Sequence, residues 1–184
     1  MIYYAHSGSA EDKSDWQTLK AHLLAVAEMA SAMAEMLGLG RAAYMAGLFH
    51  DLGKYTLAFL KRLEGSTNPV DHSTAGAVVL LERTGGRDKW MAELLAYCIT
   101  GHHAGLPDRR NEFSHCLHHR LKEFRNWPDA AWESELSPDF TGLSTDAFLN
   151  AMRQPYPDFV LSVLTRMLFS CLVDAEVRIE TFRR

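Results

Sequence analysis

The sequence predicts an all-α protein, and three observations carry that expectation. Apolar residues recur at three- and four-residue spacing through several long stretches, and cap-forming Ser, Thr and Asp or helix-stopping Gly sit at their ends. No stretch alternates polar and apolar residues for the length of a strand.

Taken in order, Ser14-Asp15-Trp16-Gln17 has the form of a capping box, with Ser14 accepting a backbone N–H and Gln17 reaching back. Behind it Leu19, Leu23, Val26, Ala30, Met33 and Leu37 share one helical face, and Gly38 supplies the stop. A second helix is expected from about Arg41 to Asp51, ended by Gly53. A short helix follows Thr56 and another starts at Ser73, each residue being a candidate cap. Gly85-Gly86 breaks the chain before a helix over 89–100 that stops at Gly101, and 114–125 reads as a further helix. Residues 126–157 hold Pro128, Pro138, Pro155 and Pro157 and are expected to be irregular, apart from a short helix near 146–153. Asp158 opens a long last helix through Val160, Leu164, Met167, Leu168, Cys171 and Ala175.

With 184 residues, 47% of them apolar, the chain suits one folded domain over residues 1–184. Its longest apolar runs, such as Ala77 to Leu81, fall far short of the roughly 20 residues a membrane span needs. The opening Met1-Ile2-Tyr3-Tyr4 lacks the basic start and apolar stretch of a signal peptide, so a soluble, cytoplasmic protein is expected, with no membrane partner. Cys98, Cys116 and Cys171 have no CxxC spacing and read as packed free thiols. The net charge of -4 argues against a protein that coats nucleic acid by charge alone. Between Arg109 and Arg125 the chain is locally basic, with His115, His118 and His119 interleaved, which suits a solvated or a DNA-facing helix.

The chemistry lies in polar residues placed on apolar stripes. His22 shares the face of Leu19 and Val26. His50 and Asp51 arrive together at the end of the second helix, and Asp174 follows Cys171 by three and Met167 by seven. A buried, unpaired carboxylate costs several kcal/mol, so such a residue demands a cation. Asp71-His72-Ser73 at a helix start and Gly101-His102-His103-Ala104-Gly105 past a helix end add three imidazoles among small neighbours. The candidate metal ligands are thus His22, His50, Asp51, His72, His102, His103 and Asp174. A set rich in imidazole suits Mn, Fe, Co, Ni or Zn better than Ca, and its size exceeds what one ion with an open position needs. One or two divalent transition metal ions are expected.

His22, His50-Asp51 within His-Asp-Leu-Gly-Lys, and a distant Asp174 resemble the metal-binding pattern of the HD phosphohydrolase superfamily. More narrowly, Asp71-His72-Ser73-Thr74-Ala75-Gly76-Ala77, Gly101-His102-His103-Ala104-Gly105-Leu106, the opening Tyr4-Ala5-His6-Ser7 and the closing Leu172-Val173-Asp174-Ala175 resemble the HD nuclease of the type I CRISPR-associated helicase-nuclease. The resemblance implies a helical bundle around a metal centre that cuts single-stranded DNA endonucleolytically in CRISPR interference. The partners it implies are a helicase domain or subunit and the RNA-guided surveillance complex. It implies Mn, Fe, Co or Ni, with Mg or Zn as alternatives. By position, His22, His50, Asp51 and Asp174 would hold one metal and His72, His102 and His103 the other, with Asp51 bridging. Asp51 and Lys54 would be the catalytic residues, Lys54 lying near the substrate phosphate; a helix-end lysine complementing the dipole is the competing reading. The family often ends its last motif Asp-Ala-Asp, where this chain has Glu176, and no role is carried over to Glu176 or to His6.

Gly47 to Tyr55 superficially has the form of a phosphate loop. It has five residues between its glycines, however, and Tyr55 stands where Ser or Thr would bind magnesium, so no ATP motor is expected. An HD-type nucleotide or cyclic-nucleotide phosphohydrolase remains the alternative function, since it would use the same metal chemistry on a small substrate. A non-catalytic, metal-stabilised binding subunit would require the loss of some ligand.

Overall fold

The structure, a computed structural model, describes residues 1–112 and 115–183. It is built of helices α1 (Leu19–Ala34), α2 (Gly40–Phe49), α3 (Leu57–Leu63), α4 (Thr74–Arg83), α5 (Lys89–Gly101), α6 (Leu117–Glu123), α7 (Ala131–Leu136), α8 (Asp146–Ala151) and α9 (Pro157–Arg183). The all-α expectation holds, with one addition: β1 (Tyr4–His6) pairs antiparallel with β2 (Gln17–Thr18), a ribbon too short to leave an alternating signature.

That ribbon displaces the expected capping box. The Asp15 carboxylate accepts from the backbone N–H groups of Ser9 and Ala10 at 2.7 and 3.1 Å and organises the loop ahead of β2, so Ser14 caps nothing and α1 begins at Leu19 behind Thr18. Gly38 ends the following 3-10 turn as expected, with φ 65° and its N–H donating to the Glu35 carbonyl. Thr56 caps α3 by accepting from Phe59 N–H at 3.2 Å. Ser73 does not cap α4. Asp71 takes that part, accepting from the N–H groups of Ser73 and Thr74, each at 3.1 Å. The second helix stops at Phe49, and a 3-10 turn over Leu52–Lys54 carries the chain on. The expected start of α6 at Ser114 lies outside the described residues. Within the proline-containing stretch, α7 forms where no helix is expected, anchored by buried Trp132 and Leu136.

The core runs from Tyr3 to Ala175. α1 packs on α2 and α9, α4 on α5, and α5 on α9. Alanines and glycines make the closest of these contacts possible. A Cβ at Gly47 of α2 would stand 2.6 Å from the Ala27 Cα of α1, so only glycine allows the two helices that carry His22 and His50 to approach this far. Cys98 and Cys116 are buried and Cys171 half-buried, and all are free thiols. No helix among the described residues is long and apolar enough to cross a membrane.

Candidate metal centre

Burial of α1, α2 and α5 against one another brings His22, His50, Asp51 and His102 into the same apolar interior, each with a fully buried side chain. His22 projects from the middle of α1, His50 from the C-terminus of α2, and Asp51 from the residue that follows. Lys54 lies one 3-10 turn further on and is 6% exposed. The His72 loop reaches this place because the turn after Asp51 contains Gly53. Gly53 N–H donates to the His72 carbonyl at 3.0 Å, and a Cβ at Gly53 would meet that oxygen at 2.5 Å. His102 and His103 sit at the C-terminus of α5 with ring centroids 3.9 Å apart, where Gly105, at φ 92°, turns the chain away.

Two groups of ligand atoms result. His22, His50 and Asp51 form one, and Asp51, His72, His102 and His103 the other, with the atoms of each within 4.8 Å of one another. Asp51 divides its oxygens between them. Oδ2 lies 3.6 Å from His22 Nε2 and 3.4 Å from His50 Nε2, while Oδ1 lies 3.6 Å from His72 Nε2 and 3.4 Å from His102 Nε2. His22 and His50 bring their Nε2 atoms to 3.2 Å, and His72 and His103 theirs to 2.9 Å. Ligands about 2.0–2.2 Å from one transition metal stand roughly 3.0–3.5 Å from one another, so these separations suit donors gathered on common ions.

The donor chemistry fits as well. A carbonyl only accepts, so where a ring Nδ1 meets one it must carry the proton, leaving Nε2 with its lone pair. His50 Nδ1 donates to Gly47 O at 2.6 Å, His102 Nδ1 to Ile99 O at 2.6 Å and His72 Nδ1 to Val70 O at 3.2 Å, and in each case Nε2 is the atom turned to Asp51. Among the described residues, both Asp51 oxygens and His102 Nε2 are buried, and apart from the Lys54 ammonium beside Oδ2 they have no hydrogen-bond partner. Such orphaned acceptors are what a cation would satisfy.

Electrostatics agree. Burial pushes the His50 imidazole well below its ordinary pKa and lowers His72, and burial together with neighbouring His102 takes His103 down to about 4. These rings are neutral at physiological pH, the form a metal binds. Burial opposes the charge on Asp51, but the Lys54 ammonium, with Nζ 2.7 Å from Oδ2, outweighs it and holds the carboxyl well below the usual range. Burial would lower His102 too, yet the negative charge of Asp51, 3.4 Å from its Nε2, prevails and raises it.

Asp174 is the one expected ligand that the structure does not bring here: it is exposed on the outer face of α9. The buried carboxylate of that helix is Glu176, 7% exposed, raised to about 7 by burial and within electrostatic reach of His102 and Asp51. Its signal lies in the sequence, four residues beyond Leu172 and eight beyond Leu168, both fully buried. The other residue outside the sequence-derived set is His6 on β1. Its ring meets that of His22 edge-on at 5.1 Å, and its Nε2 lies 3.5 Å from Glu180. No sequence periodicity points to it, since a three-residue strand has none. His115, His118 and His119 are exposed and stand apart from both groups. Of the basic stretch, Arg109 pairs with Glu93 at 3.1 Å and Arg120 turns inward toward Asp71.

A family model described as HD domain matches residues 19–135, more than half of the chain and all the residues of the two groups. A search of curated proteins finds none that matches.

Proposed function

The chain belongs to the HD domain family and is on that ground a metal-dependent phosphohydrolase, and from that premise we propose that it is a single-stranded DNA endonuclease of CRISPR interference, with residues 1–184 forming one HD nuclease domain. The observation that carries the reading is Asp51 with one oxygen turned to each of two ligand groups. That arrangement suits the paired ions used in phosphodiester displacement. The narrower assignment rests on the Asp71-His72-Ser73 and Gly101-His102-His103 motifs, whose imidazoles make the second group.

In this reading His22, His50 and Asp51 hold one ion, with Glu176 as the carboxylate from α9 in place of Asp174, and Asp51, His72, His102 and His103 hold the other. Bound ions there supply Lewis-acid charge and an acidified water at neutral pH. Asp51 keeps both positions in register because a single side chain serves them. The Gly47, Ile99 and Val70 carbonyls hold the rings of His50, His102 and His72 in the tautomer that offers Nε2. Lys54 holds the Asp51 carboxylate ionised and carries a positive charge beside the site of phosphate attack. The phosphate approaches from the side of His103, which is exposed, and His72, which is half-buried, because His22, His50 and Asp51 form the closed wall. Exposure of the second group at His103 leaves it within reach of a strand, as endonucleolytic attack requires. A helicase domain or subunit and the RNA-guided complex would deliver that strand.

The test is incubation of the Mn- or Ni-loaded protein with circular single-stranded DNA, duplex DNA, RNA and a panel of linear and cyclic nucleotides, with and without chelator. Metal-dependent linearisation of the circular strand is expected. Hydrolysis of nucleotides with circular DNA untouched assigns the protein to the nucleotide phosphohydrolases instead.

A further inference from the structure

The two segments that carry the histidines of the second ligand group come from different helix ends, and one side chain ties them together. Arg120 of α6, 22% exposed, donates through Nη2 to Ser73 Oγ at 2.7 Å, to Thr74 Oγ1 at 2.8 Å and to Asp71 Oδ1 at 3.3 Å, and through Nε to Thr74 Oγ1 at 3.2 Å. Its Nη1 donates to the Thr100 carbonyl. Residues 71, 73 and 74 flank His72 on both sides, and Thr100 stands two residues before His102. Asp71 is itself engaged by the backbone N–H groups of Ser73 and Thr74 and by Thr74 Oγ1 at 2.5 Å, so the guanidinium grips a segment that is already ordered. Among the described residues no comparable link joins Arg120 to the segments of His22 or His50.

We infer that Arg120 is the positioning residue of the second metal position, holding His72 in register with His102 and His103 by clamping the start of α4 to the end of α5. The inference rests on the two-ion reading above. The planar fork is needed because its donors reach separate acceptors on two segments at once, which a lysine ammonium at the end of a flexible stem does not reproduce. The His72–His103 separation of 2.9 Å leaves little tolerance: an independent shift of either segment by an ångström parts the pair. Groups that orient metal ligands typically change affinity about 10- to 100-fold when removed.

The experiment is calorimetric titration of metal-free protein with Mn(II), with elemental analysis of the saturated samples, on wild type, Arg120→Lys and Arg120→Ala. Wild type is expected to bind two ions. Arg120→Ala should bind one ion as wild type does and the other about 10- to 100-fold more weakly, and Arg120→Lys should fall between them. Should Arg120→Ala fail to fold, Arg120→Lys carries the test, since it keeps the charge opposite Asp71. Two ions bound to the variants with wild-type affinity overturn the inference, as does an equal loss at both positions accompanied by a lower thermal midpoint, which marks a purely structural role. Fewer than two ions on wild type defeats the two-ion reading itself, an outcome seen before any variant is examined.

Discussion

Asp51→Asn keeps the shape of the side chain while removing its charge and one acceptor oxygen, so it asks whether both ligand groups depend on one carboxylate. Each oxygen stands within 3.4–3.6 Å of two imidazole Nε2 atoms, and both positions should lose their only shared anion. An ion that binds only the folded state at a hundredfold excess over its dissociation constant adds about 2.7 kcal/mol, so two ions add about 5 kcal/mol, which the variant forfeits. The chelated protein is affected separately. Lys54, 2.7 Å from Oδ2 and 6% exposed, loses its partner, and breaking a buried pair from one side costs about 3–5 kcal/mol. At roughly 2–4 °C per kcal/mol for a domain of this size, the chelated variant should melt about 6–20 °C below chelated wild type, with no gain on adding metal. Thermal unfolding with Mn(II) or chelator, beside metal content by elemental analysis, makes the comparison. Retention of two ions by Asp51→Asn, or coincident melting of the two chelated proteins, refutes the shared role.

Glu176, raised to about 7 from an ordinary 4.5, binds its proton more tightly in the folded than in the unfolded chain. Its stabilisation is therefore present below about pH 4.5 and lost as pH rises through 7, an effect of up to about 3 kcal/mol. His50, His72 and His103 are lowered and act in the opposite sense, gaining stability as pH rises, so the comparison that isolates Glu176 is chelated wild type against Glu176→Gln in urea unfolding at pH 5 and pH 8. Equal slopes in the two proteins would assign the dependence elsewhere. Lys54→Met should destabilise the chelated protein by leaving Asp51 buried without its ammonium. It should also tighten Mn(II) binding, because a cation 2.7 Å from a ligand oxygen competes with the metal; weaker binding contradicts that. Gly53→Ala should push the His72 loop away, since the added Cβ meets the His72 carbonyl at 2.5 Å, weakening one of two Mn(II) steps in a titration while sparing the other. Loss of both steps together would show that the turn supports Asp51 as much as His72.

Most of the helices are legible because periodic apolar faces and glycine stops act locally: Gly38 and Thr56 end and begin elements where their chemistry says they should. The departures occur where two local devices compete for one segment. Ser14 and Gln17 can form a capping box, but Asp15 offers its carboxylate to Ser9 and Ala10 instead, and Gln17 and Thr18 are drawn into pairing with Tyr4 and His6. At α4, Asp71 Oδ1 accepts from both the Ser73 and Thr74 N–H groups, while the Ser73 hydroxyl is engaged by Arg120 Nη2 at 2.7 Å. The helix at Ala131–Leu136 depends on Trp132 meeting Phe49 edge-on at 5.8 Å, a partner 83 positions away that no local pattern reveals.

The site divides along the same line. His22 and the His50-Asp51 pair are readable because a residue sharing the face of Leu19 and Val26, or closing a helix of alanines, turns inward wherever that face does. For α9 the sequence offers two neighbouring stripes, and choosing between them decides which carboxylate enters the core. The line through Met167 and Cys171 leads to Asp174; the line through Leu168 and Leu172 leads to Glu176. In the folded protein Met167 is 38% exposed while Leu168 and Leu172 are fully buried, because α9 presents the second line to α1 and α5. Two residues turn a helix by about 200°, so the same choice that buries Glu176 sends Asp174 to solvent. Glu176 thus keeps a carboxylate of α9 on the buried side of the helix, within electrostatic reach of Asp51 and His102. Position on the buried stripe, rather than identity of the acid, decides which carboxylate of α9 faces the core.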